Sequence, residues 1–362
     1  MKTLLATDSF KGCLTSQEVE AALAVSLHAR GIQAICLPMS DGGDGMLHAF
    51  SSAMHGDLQE TPVHDPLMRP VIASYAVCPD GTAIIETAQA CGLSLMAPTE
   101  RNPLVASTYG VGELLLAAMN SGCRRFIIGL GGSGTSDCGR GMLDALASNL
   151  TNGHAEALPH HPLISSCHFT LASDVQNPLY GPEGAALVYG QQKGATPKMQ
   201  EQLDSQARTF ALHSAQLLGY DLSQHPGAGA AGGLGYAFLQ YLGAEAQPGA
   251  DILLQATHFP QLLHEADLVI TGEGSADHQT LMGKLPMRIL QSVRQNSNVP
   301  VWLIAGRVSD KEALLQAGFQ HVESINPPGI PQAEATRPEV AKAHLAKWVA
   351  SAFPIISSVK SF

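Results

Sequence analysis

Charge is scarce in this chain, and apolar runs of membrane length are missing. Asp, Glu, Lys and Arg make up 14% of its 362 residues. No basic block stands out among the 20 Lys and Arg, and 31 Asp and Glu set a net charge of -11, which argues against a nucleic-acid surface. No apolar run approaches the roughly 20 residues of a membrane helix. Met1–Ala6 is too short for a secretory leader and meets Asp8 at once, so it reads as the first strand of a cytoplasmic protein. The seven Cys are odd in number and contain no C-x-x-C, so they read as free thiols in a reducing compartment. Cys138, inside a Gly-rich stretch, reads as a small loop residue. None of the 15 His has zinc-site spacing. The familiar phosphate motifs are missing too. There is no G-x-x-x-x-G-K-[ST], since Gly283-Lys284 is followed by Leu285, and the His-Arg-Asp and Asp-Phe-Gly elements of protein kinases are absent.

What is present is ample core material in an α/β pattern. Hydrophobic residues are 45% of the chain, and single cores stop growing near about 250–300 residues, so two domains are expected. Thr3–Ala6 is a strand. Thr15-Ser16-Gln17-Glu18 matches a capping box, followed by Val19, Ala22, Leu23 and Leu27 at helical spacing up to Gly31. Ala34–Leu37 is a second strand, and a helix follows to near Gly56. Val71–Val77 and Thr82–Glu86, joined by Pro79-Asp80-Gly81, form a hairpin. Further strands are expected at Arg125–Ile128, Phe169–Ala172, Leu268–Ile270, Val301–Ile304 and His321–Ser324. Helices are expected at Gly112–Asn120, Met199–Leu218, Lys311–Gln316 and Pro338–Ala350, with another beginning near Lys284. The fold class is therefore α/β with two domains. Residues 1–62 and 263–362 make a Rossmann- or flavodoxin-like domain with a parallel sheet. Residues 63–262 make an inserted domain with a mixed sheet, and the active site is expected in the cleft between them.

Five loops pair a charged residue with glycine or with a strand end. They begin at Asp8, Asp41, Gly129, Asp174 and Thr271, and four follow an apolar run that reads as a strand. Ligands of open α/β sheets sit at the carboxyl ends of strands. Glycine lets backbone N–H groups approach an anion, and nearby carboxylates can hold Mg²⁺. The pattern suggests an enzyme that handles phosphate. Its carboxylates are Asp8, Asp41, Asp44, Asp137, Asp174, Glu273 and Asp277. Any one of them could be a helix cap or an Asx-turn, Asp137 and Asp277 above all. Lys11, Lys193 and Lys284 are the basic counterparts. Gly129, Gly131 and Gly134 also match G-x-G-x-x-G after a strand, which leaves a nicotinamide-dependent oxidoreductase as an alternative.

These residues resemble the glycerate kinase family of bacteria, nearly end to end. The likeness rests on Asp8-Ser9-Phe10-Lys11, Asp41-Gly42-Gly43-Asp44-Gly45, Arg101-Asn102-Pro103-Leu104, Tyr109–Leu114, Gly131-Gly132-Ser133 and Asn177-Pro178-Leu179. It continues through Gln192-Lys193-Gly194-Ala195, Gly227–Gly235, Thr271-Gly272-Glu273-Gly274 and Asp277-His278-Gln279-Thr280. The resemblance implies ATP-dependent phosphorylation of D-glycerate with Mg²⁺, and its subgroup implies 2-phosphoglycerate as product. In that reading Lys11, Ser9, Gly131, Gly132, Ser133, Lys193 and Lys284 meet substrate or phosphate. Asp174 or Asp8 is the base, acting with Lys11, while Asp41, Asp44 and Glu273 hold metal, with Asp137 and Asp277 as further candidates. The chain departs from the pattern at Ser275-Ala276, where Arg-Leu is expected. That departure motivates a second alternative, a non-catalytic homologue that binds a sugar acid.

Overall fold

The computed structural model describes residues 1–40, 42–43 and 45–354. Its strands are β1 (Lys2–Thr7), β2 (Gln33–Cys36), β3 (Asp57–His64), β4 (Pro70–Val77), β5 (Thr82–Glu86), β6 (Arg125–Gly129), β7 (His168–Ala172), β8 (Glu245–Gln247), β9 (Leu268–Ala276), β10 (Val301–Val308) and β11 (His321–Ser324). The chain divides into two compact units. One contains everything before Gly42 and after Ile252, and the other is Gly42–Ile252. The first dividing point precedes residue 62, because β3 is hydrogen-bonded along its whole length to β4, and the second precedes residue 262.

The first unit is a parallel five-stranded sheet in the order β11-β10-β9-β1-β2. Read from the other edge, this is the flavodoxin-like order, with its switch point between β1 and β9. β1, β9 and β10 lie inside the sheet, are covered on both faces, and therefore read as near-continuous apolar runs. The helix Ser16–His28 opens with the expected capping box of Thr15 and Glu18. It buries Val19, Leu23 and Leu27 together with Leu345, Trp348 and Val349 of the helix Pro338–Ala352. Gly272 lies inside β9, where a Cβ would stand 2.7 Å from the Ile304 carbonyl of β10, so the strand continues through a glycine that reads as a loop signal. Glu273 is accordingly a strand residue and not a loop residue.

The second unit holds a six-stranded sheet in the order β3-β4-β5-β6-β7-β8. β3, β4 and β5 pair antiparallel, and β5 through β8 pair parallel. Its core stacks Phe126 on Phe169 at 5.0 Å, with Phe238 against Phe169 at 6.1 Å. Phe238 comes from the helix Ala230–Leu242, whose first turn is broken by left-handed Ala231, Gly232 and Gly233.

Candidate active site

In the first unit, the carboxyl ends of the parallel strands open into a cavity of about 810 Å³. It is lined by Asp8–Lys11 after β1, Glu273–Ser275 of β9, Lys284, Gly306–Val308 of β10 and the segment that follows β11. Asp8, Ser9, Lys11, Glu273 and Lys284, singled out from the sequence, therefore share one cavity. The chain leaves β1 under tight control. The Asp8 amide donates to the Gly272 carbonyl at 2.8 Å, and the Ser9 amide donates to Asp8 Oδ1 at 2.7 Å. Behind it, fully buried Glu20 accepts from the Thr7 amide at 2.9 Å and the Thr7 hydroxyl at 3.3 Å. Burial pushes the Glu20 carboxyl well above its ordinary value, against the pull of the Thr7 hydrogen bonds.

Glu273 is also buried. Thr280 Oγ1 donates to its Oε1 at 2.6 Å, and Lys284 Nζ approaches its Oε2 at 3.4 Å. Burial raises its carboxyl, and Thr280 and Lys284 oppose that shift. Asp277 caps the short turn His278–Met282, accepting from the Gln279 amide at 2.8 Å, while its own amide donates to Thr280 Oγ1 at 3.0 Å. Asp277 thus supports Thr280, which in turn orients Glu273.

The second unit gathers the other predicted segments. The Gly131 amide donates to the Gly42 carbonyl at 3.3 Å, and a Cβ on Gly131 would lie 2.5 Å from Gly43 Cα. A Cβ on Gly42 would lie 2.3 Å from the carbonyl of Ala172, where β7 ends and the Asp174 segment begins. Three Gly- or Asp-bearing segments therefore meet at the carboxyl ends of β6 and β7. Glu86, at the end of β5, accepts from the Gly45 amide at 3.2 Å and the Leu47 amide at 3.0 Å. Asp174 itself is exposed. Asp41 and Asp44, assigned to metal on sequence grounds, lie outside the described residues.

Lys193, expected to meet phosphate, is buried, and its ammonium is bonded to protein atoms beside this cluster. It is 2% exposed and donates to Ser133 Oγ at 3.0 Å and to the Thr135 carbonyl at 2.7 Å. Burial pulls its ammonium down to about 8, and Cys91 and Asp137 oppose the shift. Gly132, next to Ser133, is exposed. Asp137 accepts from the amides of Thr108, Gly139 and Gly141 and from the Thr108 hydroxyl, which is a structural cap. The glycines of the G-x-G-x-x-G match face protein atoms. Gly131 is against Gly43, and a Cβ on Gly134 would lie 2.4 Å from Met96 Cε, so neither leaves backbone open to a pyrophosphate as a dinucleotide site needs.

Sequence reasoning passed over Arg307, Asn326, Glu86 and Glu20. Arg307 carried the same signal as the other loops, an apolar strand followed by glycine and a charge. Among the described residues, no three His, Cys, Asp or Glu side chains gather as a metal cluster, and no helix is long and apolar enough to cross a membrane.

The family model of the glycerate kinase family matches residues 3–357. The chain is 40% identical to a glycerate kinase of Bacillus subtilis, covering 92% of this chain and 93% of that one. It is 36% identical to a glycerate 2-kinase of Escherichia coli, covering 90% of each. It also superposes on the crystal structure of a Salmonella typhimurium LT2 protein assigned as a glycerate kinase 2, with a TM-score of 0.81, 34% identity, and coverage of 98% and 97%. With the flavodoxin-like sheet, its charged cavity and this end-to-end likeness in agreement, the chain belongs to the glycerate kinase family.

Proposed function

We propose that this protein phosphorylates D-glycerate with ATP in the cytoplasm, giving 2-phosphoglycerate, and that Mg²⁺ assists. The observation that carries this reading is the cavity at the carboxyl ends of β1, β9 and β10, whose lining includes Lys11 together with Asp8 and Glu273. Phosphoryl transfer rests on positioning and on charge stabilisation, with a carboxylate to accept the proton of the attacking hydroxyl. Lys11 and the Ser9 segment supply positive charge and N–H groups for an anion. Asp8 or Asp174 accepts the hydroxyl proton. Glu273, fixed by Thr280, is a hard oxygen donor of the kind Mg²⁺ takes, and Mg²⁺ needs only one or two protein carboxylates when phosphates and waters complete its shell. Bound Mg²⁺ would offset phosphate charge. In the second unit, the exposed Gly132 is the part of the Gly131–Ser133 segment left to meet an anion, and buried Lys193 braces that segment through Ser133.

Purified protein with ATP, Mg²⁺ and D-glycerate is expected to release ADP. Enolase added without a mutase is expected to consume the product, because only 2-phosphoglycerate feeds it directly. Excess EDTA is expected to stop turnover. A signal that requires mutase would overturn the 2-phosphoglycerate product, absence of ADP would overturn the kinase activity, and full turnover in EDTA would overturn the metal.

A further inference from the structure

We propose that Arg307 is the oxyanion-gripping residue of the first unit's cavity, supplying from β10 the guanidinium that the sequence lacks at position 275 of β9. The inference rests on the reading of that cavity as the site of phosphoryl transfer. Arg307 lies at the carboxyl end of β10 and lines the cavity, and its side chain is exposed. Among the described residues its guanidinium makes no hydrogen bond or ion pair, whereas Lys284 is turned toward Glu273. The register of the ladder pairs Arg307 with Ser275. Paired residues of neighbouring parallel strands stand about 4.8 Å apart and point to the same face of the sheet. A guanidinium at 307 therefore reaches the volume that one at 275 would occupy.

The backbone that carries Arg307 is clamped. Asn326 Nδ2 donates to the Gly306 carbonyl at 2.8 Å, and Ser324 Oγ donates to the same oxygen at 3.1 Å. Asn326 is fixed in turn, since its Oδ1 accepts from His344 Nδ1 at 2.7 Å, which places the proton of that ring on Nδ1. Just past the strand, the Ser309 amide donates to the Ala276 carbonyl at 2.9 Å. Side chains hold the strand on the Gly306 side and a backbone hydrogen bond holds it at Ser309, on either side of an arginine whose guanidinium bonds to nothing else described. A planar guanidinium so presented matches a carboxylate or a phosphate through two parallel hydrogen bonds, which a lysine does not reproduce.

The test uses Arg307→Ser, Arg307→Lys and the double variant Ser275→Arg/Arg307→Ser. Losing a charge-assisted pair is expected to raise one substrate's KM about 10- to 100-fold. A rise confined to glycerate assigns the carboxylate, and a rise confined to ATP assigns a phosphate. Arg307→Lys is expected to recover little. The double variant is expected to recover most of the loss, with thermal midpoints of all three variants near wild type. Both KM values of Arg307→Ser within two-fold of wild type overturn the proposal. So does a double variant no better than Arg307→Ser, or a large fall in its midpoint, which would make Arg307 structural. Calorimetric titration with D-glycerate and with ATP, each alone, reads the same contrasts without turnover. Wild-type binding that Arg307→Ser weakens, with no turnover in any sample, would sink the kinase reading and keep Arg307.

Discussion

Lys193→Met separates a lysine that serves the fold from one that holds a loop for function. The wild-type ammonium is buried, and burial pulls it from 10.5 down to about 8. At about 1.4 kcal/mol per pKa unit, the charged form costs roughly 3 kcal/mol more here than in water. The native value lies below the unfolded one, so this penalty is full below pH 8 and fades between about 8 and 10.5, where the unfolded lysine also loses its proton. Methionine keeps the apolar stem and removes the charge. It also strips the lysine's hydrogen bonds from Ser133 Oγ and the Thr135 carbonyl, and an orphaned buried acceptor costs about 1–3 kcal/mol. The two effects nearly cancel. At about 2–4 °C per kcal/mol for a unit of this size, the midpoint at pH 7 should stay within about 5 °C of wild type. Catalysis should not be spared, because misplacing a positioning group by about 1 Å can cost on the order of 10²-fold in rate. The assay pairs scanning fluorimetry from pH 6 to 10 with steady-state kinetics at pH 7. The variant's midpoint relative to wild type should fall above pH 8, as the wild-type penalty fades. Unchanged kcat/KM at an unchanged midpoint would refute the loop-holding role. A midpoint lowered by more than about 10 °C would refute the cancellation.

Two further outcomes are expected. Burial raises Glu20 above its ordinary 4.5, so the stability this group contributes is fully present below that pH and is lost as pH rises toward the native value; Glu20→Gln has no proton to lose. Its midpoint relative to wild type should therefore climb from pH 4.5 to pH 8, and a flat difference would show that Glu20 is not held neutral. Asp174→Asn should lower kcat by about 10²–10⁴-fold with the midpoint unchanged, since Ser173 Oγ accepts from the Val175 amide at 3.3 Å and the turn has that support of its own. Wild-type kcat would remove Asp174 from the proton transfer.

Much of the fold is legible in the sequence because its parallel strands are covered on both faces. β1, β6, β7 and β10 each read as a short apolar run, and each is found within a residue or a few of the expected bounds. β3 escaped because it is a largely exposed edge strand containing Pro62, so it shows neither a run nor a clean alternation. β8 spans only Glu245–Gln247, too short to show a period. Gly272 and Gly274 made β9 read as ending near Ile270, although the strand continues to Ala276. Of the candidate site, the residues on the loops were legible, because glycine beside charge after a strand is a local signal. Asp137 and Asp277 gave that same signal and proved to be caps. Local pattern does not separate a carboxylate that faces a ligand from one that faces backbone amides.

What stayed illegible is the set of polar groups behind each ligand-facing segment. Glu20 holds Thr7, from which Asp8 departs, across 13 positions of sequence. Glu86 holds Gly45 across 41, Asn326 holds Gly306 across 20, and Lys193 holds Ser133 across 60. No window of sequence spans such pairs; Glu20, Glu86 and Asn326 taken singly read as ordinary surface residues, and Lys193, though singled out, reads as a phosphate ligand and not as a clamp. The physical need for them is local. Glycine-rich segments lose much conformational freedom on ordering, and a site that must hold an anion in one geometry has to fix them. Apolar packing cannot supply direction, whereas a hydrogen bond to one chosen carbonyl, amide or hydroxyl can. The cost appears in Glu20 and Lys193, where burial disfavours the charged form of each relative to water. A core arranged for stability alone is served as well or better by apolar side chains at such positions. That these two sites carry ionisable groups, each bonded to a residue beside or within a candidate ligand loop, is the physical reason to assign them to positioning the site and not to stabilising the fold.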